Sequence, residues 1–354
     1  MEDEYIIIYS TWDRKILYLI IFIFLIKNYT LKFEKNKLIK ESKILKKQNL
    51  NTKKTIIHLR RNYSNDIHFY KEIFKLYIEN RTEFYIKGRQ REMEKIGRNY
   101  NDSDIVTIQD KYNWLMIHES PEKKSKYADK LLLHEYSKEV LGIDICVPIL
   151  KIYNNINDIN LDELPEKFVL KCNHGSGMNI LCKDKSKFNI SEAKRRLNGW
   201  MKTNYGLKHF EYQYITINKK IFAEKYLCDD ILDYKFYCFN GVPKFIRVQK
   251  HLINYKINNY YDLNFTLNDI ETNLPKYYRR PDIKFPKPKN LDLMIYYCKR
   301  LSAQFTFVRV DLYEVENIVY LGELTFSPFN INMPYKDRNQ SLYLGKLLDI
   351  SKVK

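Results

Sequence analysis

Two stretches of this chain carry side chains whose types and spacing could do chemistry. In Phe168-Val-Leu-Lys-Cys-Asn-His-Gly-Ser-Gly-Met-Asn179 an apolar run delivers Lys171 and passes at once into a loop containing His174, Gly175, Ser176 and Gly177. Glycines let backbone N–H groups approach and point into a bound anion, which suits a polyphosphate, and a lysine at a strand's end adds a point charge. The spacing matches neither the P-loop nor the dinucleotide-binding glycine pattern. The second stretch is Phe307-Val-Arg-Val-Asp311 followed by Gly322-Glu-Leu-Thr325. Arg309 and Asp311 are two apart and share one strand face, and Glu323 and Thr325 do the same on the next strand. Carboxylates converging from adjacent strands make a hard oxygen site of the kind magnesium takes. An arginine beside them would meet a transferring phosphate and its developing charge. The plainer alternative is a half-buried hairpin laced with cross-strand salt bridges.

Register decides between these readings. Side chains alternate with period two, so a slip of one residue would send Glu323 to the face opposite Asp311. A two-residue turn at Glu316-Asn317 pairs Val315 with Ile318, which sets Asp311 against Gly322 and misdirects Glu323. A three-residue loop, or a bulge in either strand, restores Asp311 opposite Glu323 and Arg309 opposite Thr325. An odd-length loop or a bulge is therefore expected here, with Val308, Val310 and Leu312 facing the other side.

The elements that must hold these groups are legible in outline. Ser125 to Leu141 reads as one helix stopped by Gly142, and Ser191 to Lys202 as another, with Ala193, Leu197 and Trp200 on one face. Ile145 to Tyr153 is strand-like, Lys167 to Cys172 is a buried strand, and Asn179 to Lys183 is its hairpin partner. Tyr234 to Phe239 and Pro243 to Val248 flank Asn240-Gly241, the strongest short hairpin signal. Asn254 to Lys289 reads as a long polar excursion ending in Pro286-Lys-Pro288. Strands, helices and hairpins mixed in this way predict an α+β architecture rather than a doubly wound sheet.

Several further stretches accompany these elements in order. They are Ala128-Asp-Lys130, Gly142-Ile143, Val147-Pro148, Phe222-Ala-Glu-Lys-Tyr-Leu227 and Asp233-Tyr-Lys-Phe236. Together with the glycine loop and the two strand pairs, this succession resembles the ATP-grasp superfamily, and its wording resembles the TupA-like branch. The resemblance covers about Tyr112 to Leu348. It implies an ATP-grasp fold of two α+β lobes clasping ATP, lobe 1 over 126–222 and lobe 2 over 223–354. It also implies ATP and Mg2+ as cofactors. Lys130 and Lys171 would meet the phosphates with the His174-Gly175-Ser176-Gly177 loop and Lys235. Glu224-Lys225-Tyr226-Leu227 would be the hinge that receives adenine. Asp311 and Glu323 would hold metal, with Arg309 and Lys171 acting on the transferring phosphate. Thr325 stands where the superfamily commonly places an asparagine as third metal ligand; TupA-like sequences tend to share a threonine. They also tend to follow it with a glycine-bearing segment, where this chain reads Ser327-Pro-Phe-Asn330, which bears on acceptor contacts.

The activity implied is an ATP-dependent ligase that joins a carboxylate to an amine or other nucleophile through an acylphosphate, in cell-surface polymer biosynthesis. The acceptor would be a sugar acid, an amino acid or a surface glycan. Two other classes compete. One is glycosyl transfer onto a surface glycan. The other is a non-catalytic nucleotide-binding scaffold, disfavoured by intact Lys171, Asp311 and Glu323.

Composition sets the remaining bounds. The chain has 354 residues, 45% hydrophobic, with 30 tyrosines and 19 phenylalanines, enough for a sizeable core. Its six cysteines form no CxxC pair and read as reduced, mostly buried thiols. Net charge is +18, and the segment from Lys27 to Arg61 holds ten lysines and two arginines against Glu34 and Glu41. Such a run is a solvated linker first and a partner for an anionic membrane surface second. No zinc finger, RRM signature or aromatic-basic platform supports nucleic acid as partner. Ile16 to Ile26 is an apolar run of eleven residues, shorter than the roughly 20 needed to span a bilayer. It reads as a short anchor, an interfacial helix or a buried helix. Residues 1–30 are thus a candidate membrane anchor, 31–65 a basic linker and 66–125 a helical lead-in. If residues 16–61 do associate with a membrane, the positive-inside tendency leaves the rest in the cytoplasm, at the inner face of the membrane.

Overall fold

The computed structural model describes residues 81–94, 105–119, 121–252, 254–273, 277–328, 333–351 and 353. The apolar segment, the basic linker and the first part of the helical lead-in lie outside them. In chain order the elements are α1 (Arg81–Glu94), α2 (Ile108–His118), α3 (Pro121–Ala128), α4 (Leu132–Leu141), β1 (Ile149–Tyr153), β2 (Phe168–Cys172), β3 (Asn179–Cys182), α5 (Ile190–Lys202), α6 (Tyr205–His209) and β4 (Ile221–Lys225). The second half holds β5 (Leu232–Phe239), β6 (Val242–His251), β7 (Lys256–Tyr261), β8 (Tyr277–Tyr278), α7 (Leu291–Ser302), β9 (Phe307–Val315), β10 (Ile318–Thr325) and α8 (Arg338–Lys346). No helix among the described residues is long and apolar enough to cross a membrane.

The strands form two sheets, of order β1-β4-β2-β3 and β10-β9-β5-β6-β7-β8. Every pairing is antiparallel except β7 with β8. The α+β expectation holds. β4 closes the small sheet, so the change of sheet lies between Lys225 and Leu232, and the lobe boundary expected at 222/223 falls inside β4.

Alternation in β9 explains the large sheet. Val308, Val310 and Leu312 are fully buried on one face and pack with Phe236, Ile246 and Val248 from β5 and β6. α7 closes that core with Leu291, Met294, Cys298 and Leu301, spaced on one helical face. Arg309 and Asp311 necessarily face the opposite way. The small sheet has its own core, in which Phe168, Leu170 and Cys172 of β2 meet Ala193 and Leu197 of α5.

Three expectations are corrected. Ser125 to Leu141 is not one helix: α3 ends at Ala128 and α4 begins at Leu132. The Asp129 side chain accepts a hydrogen bond from the N–H of Leu131 at 2.9 Å, a local contact that competes with helix continuation and lifts Lys130 out of the helical path. The cap of α5 is Asn189, whose side chain accepts from the N–H of Glu192, so the helix starts one residue before Ser191. The excursion from Asn254 to Lys289 contains β7 and β8, which widen the large sheet, and α7 follows where no helix was foreseen. The six cysteines are free thiols, all buried but the half-buried Cys228.

Candidate active site

The β9–β10 hairpin supplies the densest group of charges. Glu316 and Asn317 form its two-residue turn, with φ of 54° and 63° as a primed hairpin turn requires. Val315 pairs with Ile318, the register that by itself would misplace Glu323. The ladder then shifts: Leu321 faces Leu312, but Glu323 faces Asp311 and Thr325 faces Arg309. The extra residue is Gly322. The expectation of an odd loop or a bulge is met by a bulge, and glycine is there for space. A Cβ at that position would lie 2.7 Å from the Tyr313 ring and hydroxyl.

The bulge brings four polar side chains together. Arg309 donates from Nε and a terminal nitrogen to both oxygens of Asp311, each at 2.6 Å. The same terminal nitrogen reaches Glu323 at 3.1 Å and Thr325 Oγ1 at 2.9 Å, and that hydroxyl donates to Glu323 at 2.7 Å. Lys235, opposite Asp311 on β5, donates to Asp311 at 2.7 Å and lies 3.1 Å from Asp233. Asp311 is 1% exposed. Burial opposes the charge on Glu323, but Lys130, Arg309 and Lys235 outweigh it and hold its carboxyl at about 2. Around Asp233 the order is the same: burial raises its pKa, yet Lys235 and His251 leave it well below the usual carboxylate range.

The small sheet faces this group with its own cations. Lys171, at the end of β2, makes an ion pair with Glu224 of β4, the partner that a lysine in a buried strand needs. Glu224 stands opposite Val169, diagonal to Lys171. Lys130 donates to the carbonyl of Gly175 at 2.8 Å and lies 3.9 Å from Glu323, so it links the glycine loop to the hairpin carboxylate. Burial lowers its pKa, while Glu323 works in the other direction. The loop itself divides. Ser176 and Gly177 are exposed, Gly177 with φ of 70°, whereas His174 is turned inward and hydrogen-bonds the Trp200 carbonyl at 3.1 Å. Burial lowers the His174 pKa to about 4. In the expected hinge, the N–H of Lys225 donates to Pro148 at 2.9 Å and its side chain is exposed; Tyr226 bonds Asp229 at 2.7 Å, and Leu227 is half-buried.

Several participants were not singled out from sequence. Asn173 donates to Asp129 and accepts from the N–H of Lys220, fastening the glycine loop to the break that carries Lys130. Tyr205 packs where a Cβ on Gly175 would be and is hydrogen-bonded to Ser176 and Glu211. Glu211 accepts from Ser327 at 2.5 Å, and burial raises its carboxyl to about 7. Tyr313 is raised by burial among Asp233, Glu323, Asp311 and Glu224, carboxylates of both sheets. Asp233 and Tyr313 continue the period-two pattern of Lys235 and Asp311, a signal available in the sequence. Asn173, Tyr205 and Glu211 meet only through tertiary contact.

The donor set suits a hard cation: two carboxylates and a hydroxyl converge, and at present Arg309 and Lys235 supply the balancing charge.

The profile described as TupA-like ATPgrasp matches residues 110–349. No curated protein matches. Among solved structures, a D-alanine–D-alanine ligase from Bacillus anthracis is 19% identical at a TM-score of 0.33, over 56% of this chain and 57% of that one. A D-alanine–D-alanine ligase from Helicobacter pylori is 16% identical at a TM-score of 0.34, over 63% and 62%. An L-amino acid ligase from Bacillus licheniformis is 12% identical at a TM-score of 0.37, over 57% and 43%. The chain therefore spans less than two thirds of the length of each. With a family profile running through both sheets and the bulged hairpin, the chain belongs to the TupA-like ATP-grasp family.

Proposed function

We propose that this protein is an ATP- and magnesium-dependent ligase that joins a carboxylate to an amine through an acylphosphate, in building a cell-surface polymer. The observation that carries the proposal is the bulge at Gly322, which sets Glu323 and Thr325 opposite Asp311 and Arg309. A hairpin that served only as core would have no need of a displaced register that gathers three charged side chains. In this reading the substrate carboxylate attacks the γ-phosphorus, the bond to the β–γ bridging oxygen breaks, and ADP leaves. The amine then attacks the acyl carbon, phosphate departs with the C–O electron pair, and the amine's proton passes to solvent.

This chain's residues would bind and orient those groups. Lys171 and Lys130 carry positive charge to the glycine loop, where exposed Ser176 and Gly177 offer backbone N–H groups to phosphate. Glu224, Lys225, Tyr226 and Leu227 would line the adenine side. Arg309 and Lys235 would turn from Asp311 toward the transferring phosphoryl group, where fixed cations are worth most. Magnesium, when bound, would be held by Asp311 and Glu323 with Thr325, and supplies charge to neutralise the phosphate oxygens. Association of residues 16–61 with an anionic membrane surface belongs to the same proposal, supported by the apolar run and the basic segment beside it.

A thermal-shift titration and an ADP-release assay over amino acids and uronic acids test the reading. ATP with magnesium should stabilise the protein and UDP-sugars should not; a ligand at 100 times its dissociation constant stabilises by about 2.7 kcal/mol. A response to a UDP-sugar with none to ATP would exclude the ligase.

A further inference from the structure

We propose that the polar face of the large sheet continues beyond Asp311 into a second subsite, in which Arg247, Tyr112, Tyr237 and Tyr260 hold a second carboxylate of the acid substrate. The proposal rests on the ligase reading and names its substrate class: acids with two carboxylates, one activated at Arg309 and the other anchored at Arg247.

The register puts these groups in line. Glu323, Asp311, Lys235, Arg247 and Tyr260 stand opposite one another across five adjacent strands, from β10 through β9, β5 and β6 to β7. Arg247 is thus two strand spacings from Asp311, about 10 Å along the sheet, and side chains reaching toward each other shorten the gap. Its cross-strand neighbours are Lys235, a like charge, and Tyr260. Apolar residues on either side of it in β6, Ile246 and Val248, point into the core, so the guanidinium faces the other side of the sheet, with Lys235 and Asp311. It is nevertheless 1% exposed.

Phenols surround it. The guanidinium carbon is 5.9 Å from the centroid of the Tyr237 ring, and the Tyr260 hydroxyl is turned toward Arg247 and Thr272. Tyr112 comes down from α2, its hydroxyl close enough to feel Tyr335, Tyr237 and Arg309. Tyr112 and Tyr237 are 2% and 0% exposed, and neither hydroxyl makes a hydrogen bond. Both amide atoms of Asn258, two residues from Tyr260 on the same face of β7, also make none. Buried hydroxyls without partners are costly, and packing does not call for them here. The Tyr237 ring stacks on Phe245 at 4.6 Å and the Tyr112 ring meets Phe307 at 4.3 Å, contacts that phenylalanine would make equally well. The tips are therefore the informative atoms: a guanidinium fork with the Tyr237 and Tyr260 phenols beside it, and the Tyr112 hydroxyl next to Tyr237. That is recognition chemistry for an anion with in-plane acceptors, which a carboxylate provides.

The test uses the full chain with ATP and magnesium, reading thermal stabilisation and ADP release with glutarate, monomethyl glutarate and inorganic phosphate as probes. Glutarate should stabilise more than its monoester. Tyr237→Phe and Tyr112→Phe should raise the half-saturating glutarate concentration about 10- to 100-fold, the range for losing a hydrogen bond to a charged group. Their unliganded melting temperatures should equal or exceed that of the parent, and their response to ATP with magnesium should persist. Arg247→Met should lose the glutarate preference and Arg247→Lys should regain part of it. Equal responses to glutarate and its monoester, or an unchanged glutarate response in both phenylalanine variants, would overturn the subsite while the ATP response leaves the ligase reading standing. A response to phosphate with none to glutarate would overturn the carboxylate assignment. No ATP–magnesium response in the parent would remove the ligase reading, and this inference with it.

Discussion

Glu323→Gln isolates what the bulged hairpin contributes electrostatically. The folded protein holds the Glu323 carboxyl at about 2 against an ordinary value of 4.5. At about 1.36 kcal/mol for each tenfold change in proton affinity, that difference corresponds to roughly 3 kcal/mol favouring the charged form in the folded state. Its side chain is 26% exposed, so solvent screening trims the figure only in part. The sign follows from a depressed carboxyl pKa: the stabilisation is complete above pH 4.5 and is lost as pH falls toward 2. Glutamine imitates the protonated form, so the variant should be about 3 kcal/mol less stable at pH 7. The gap should narrow to about 2 kcal/mol at pH 3.5, because the unfolded parent takes up its proton first. Denaturant unfolding of both proteins in EDTA, at pH 7, 5, 4 and 3.5, measures it. A variant as stable as the parent at pH 7, or a gap that does not change with pH, would refute the reasoning.

Three further outcomes follow from other parts of the site. Lys171→Met should leave the buried Glu224 without the lysine that balances it, and should reduce the thermal shift produced by ATP with magnesium; an unchanged shift would take Lys171 out of phosphate binding. Gly322→Val should force the Tyr313 ring away from a Cβ that would sit 2.7 Å from it, destabilising by about 1–3 kcal/mol, as overpacking does, and lowering turnover by disturbing the pairing of Glu323 with Asp311. Circular dichroism melts and ADP release read the two effects separately. His174, held to about 4 by burial, is neutral when folded and should make the protein lose stability as pH falls from 6.5 toward 4, by about 1.4 kcal/mol per pH unit. His174→Asn should flatten that part of the unfolding profile.

The candidate site was legible in the sequence wherever one strand carries it. Period two in Arg309 and Asp311, and in Glu323 and Thr325, is a local property of the chain, so their shared faces needed no tertiary information. The hairpin signal at Asn240-Gly241 was sufficient for the same reason, and both residues adopt positive φ. The strand–loop–strand around Gly175 and Gly177 and the α+β class followed from apolar spacing and turn residues. Sequence could say that the β9–β10 hairpin required a register correction; it could not say whether loop or bulge would supply it. That choice was made by Tyr313, whose ring fills the space beside Gly322, and by the N–H of Leu321, which donates to the Ile145 carbonyl at 2.7 Å from outside the hairpin.

What tertiary structure decided has one physical character: it depends on groups far apart in sequence meeting where water is excluded. A helix reading of Ser125 to Leu141 was reasonable on periodicity, but Asp129 is anchored by Asn173, 44 residues away, and the helix breaks there to deliver Lys130. α7 was missed because its polar residues face out while its apolar stripe is drawn to β5 and β6 by the core they share. Arg247 stood in a strand as an ordinary alternating polar residue. Only the pairing of β5, β6 and β7 set it between Lys235 and Tyr260, and only the packing of α2 brought Tyr112 toward Tyr237 and Arg309. The residues were chosen by the sequence; the low dielectric that makes their charges matter was made by the fold.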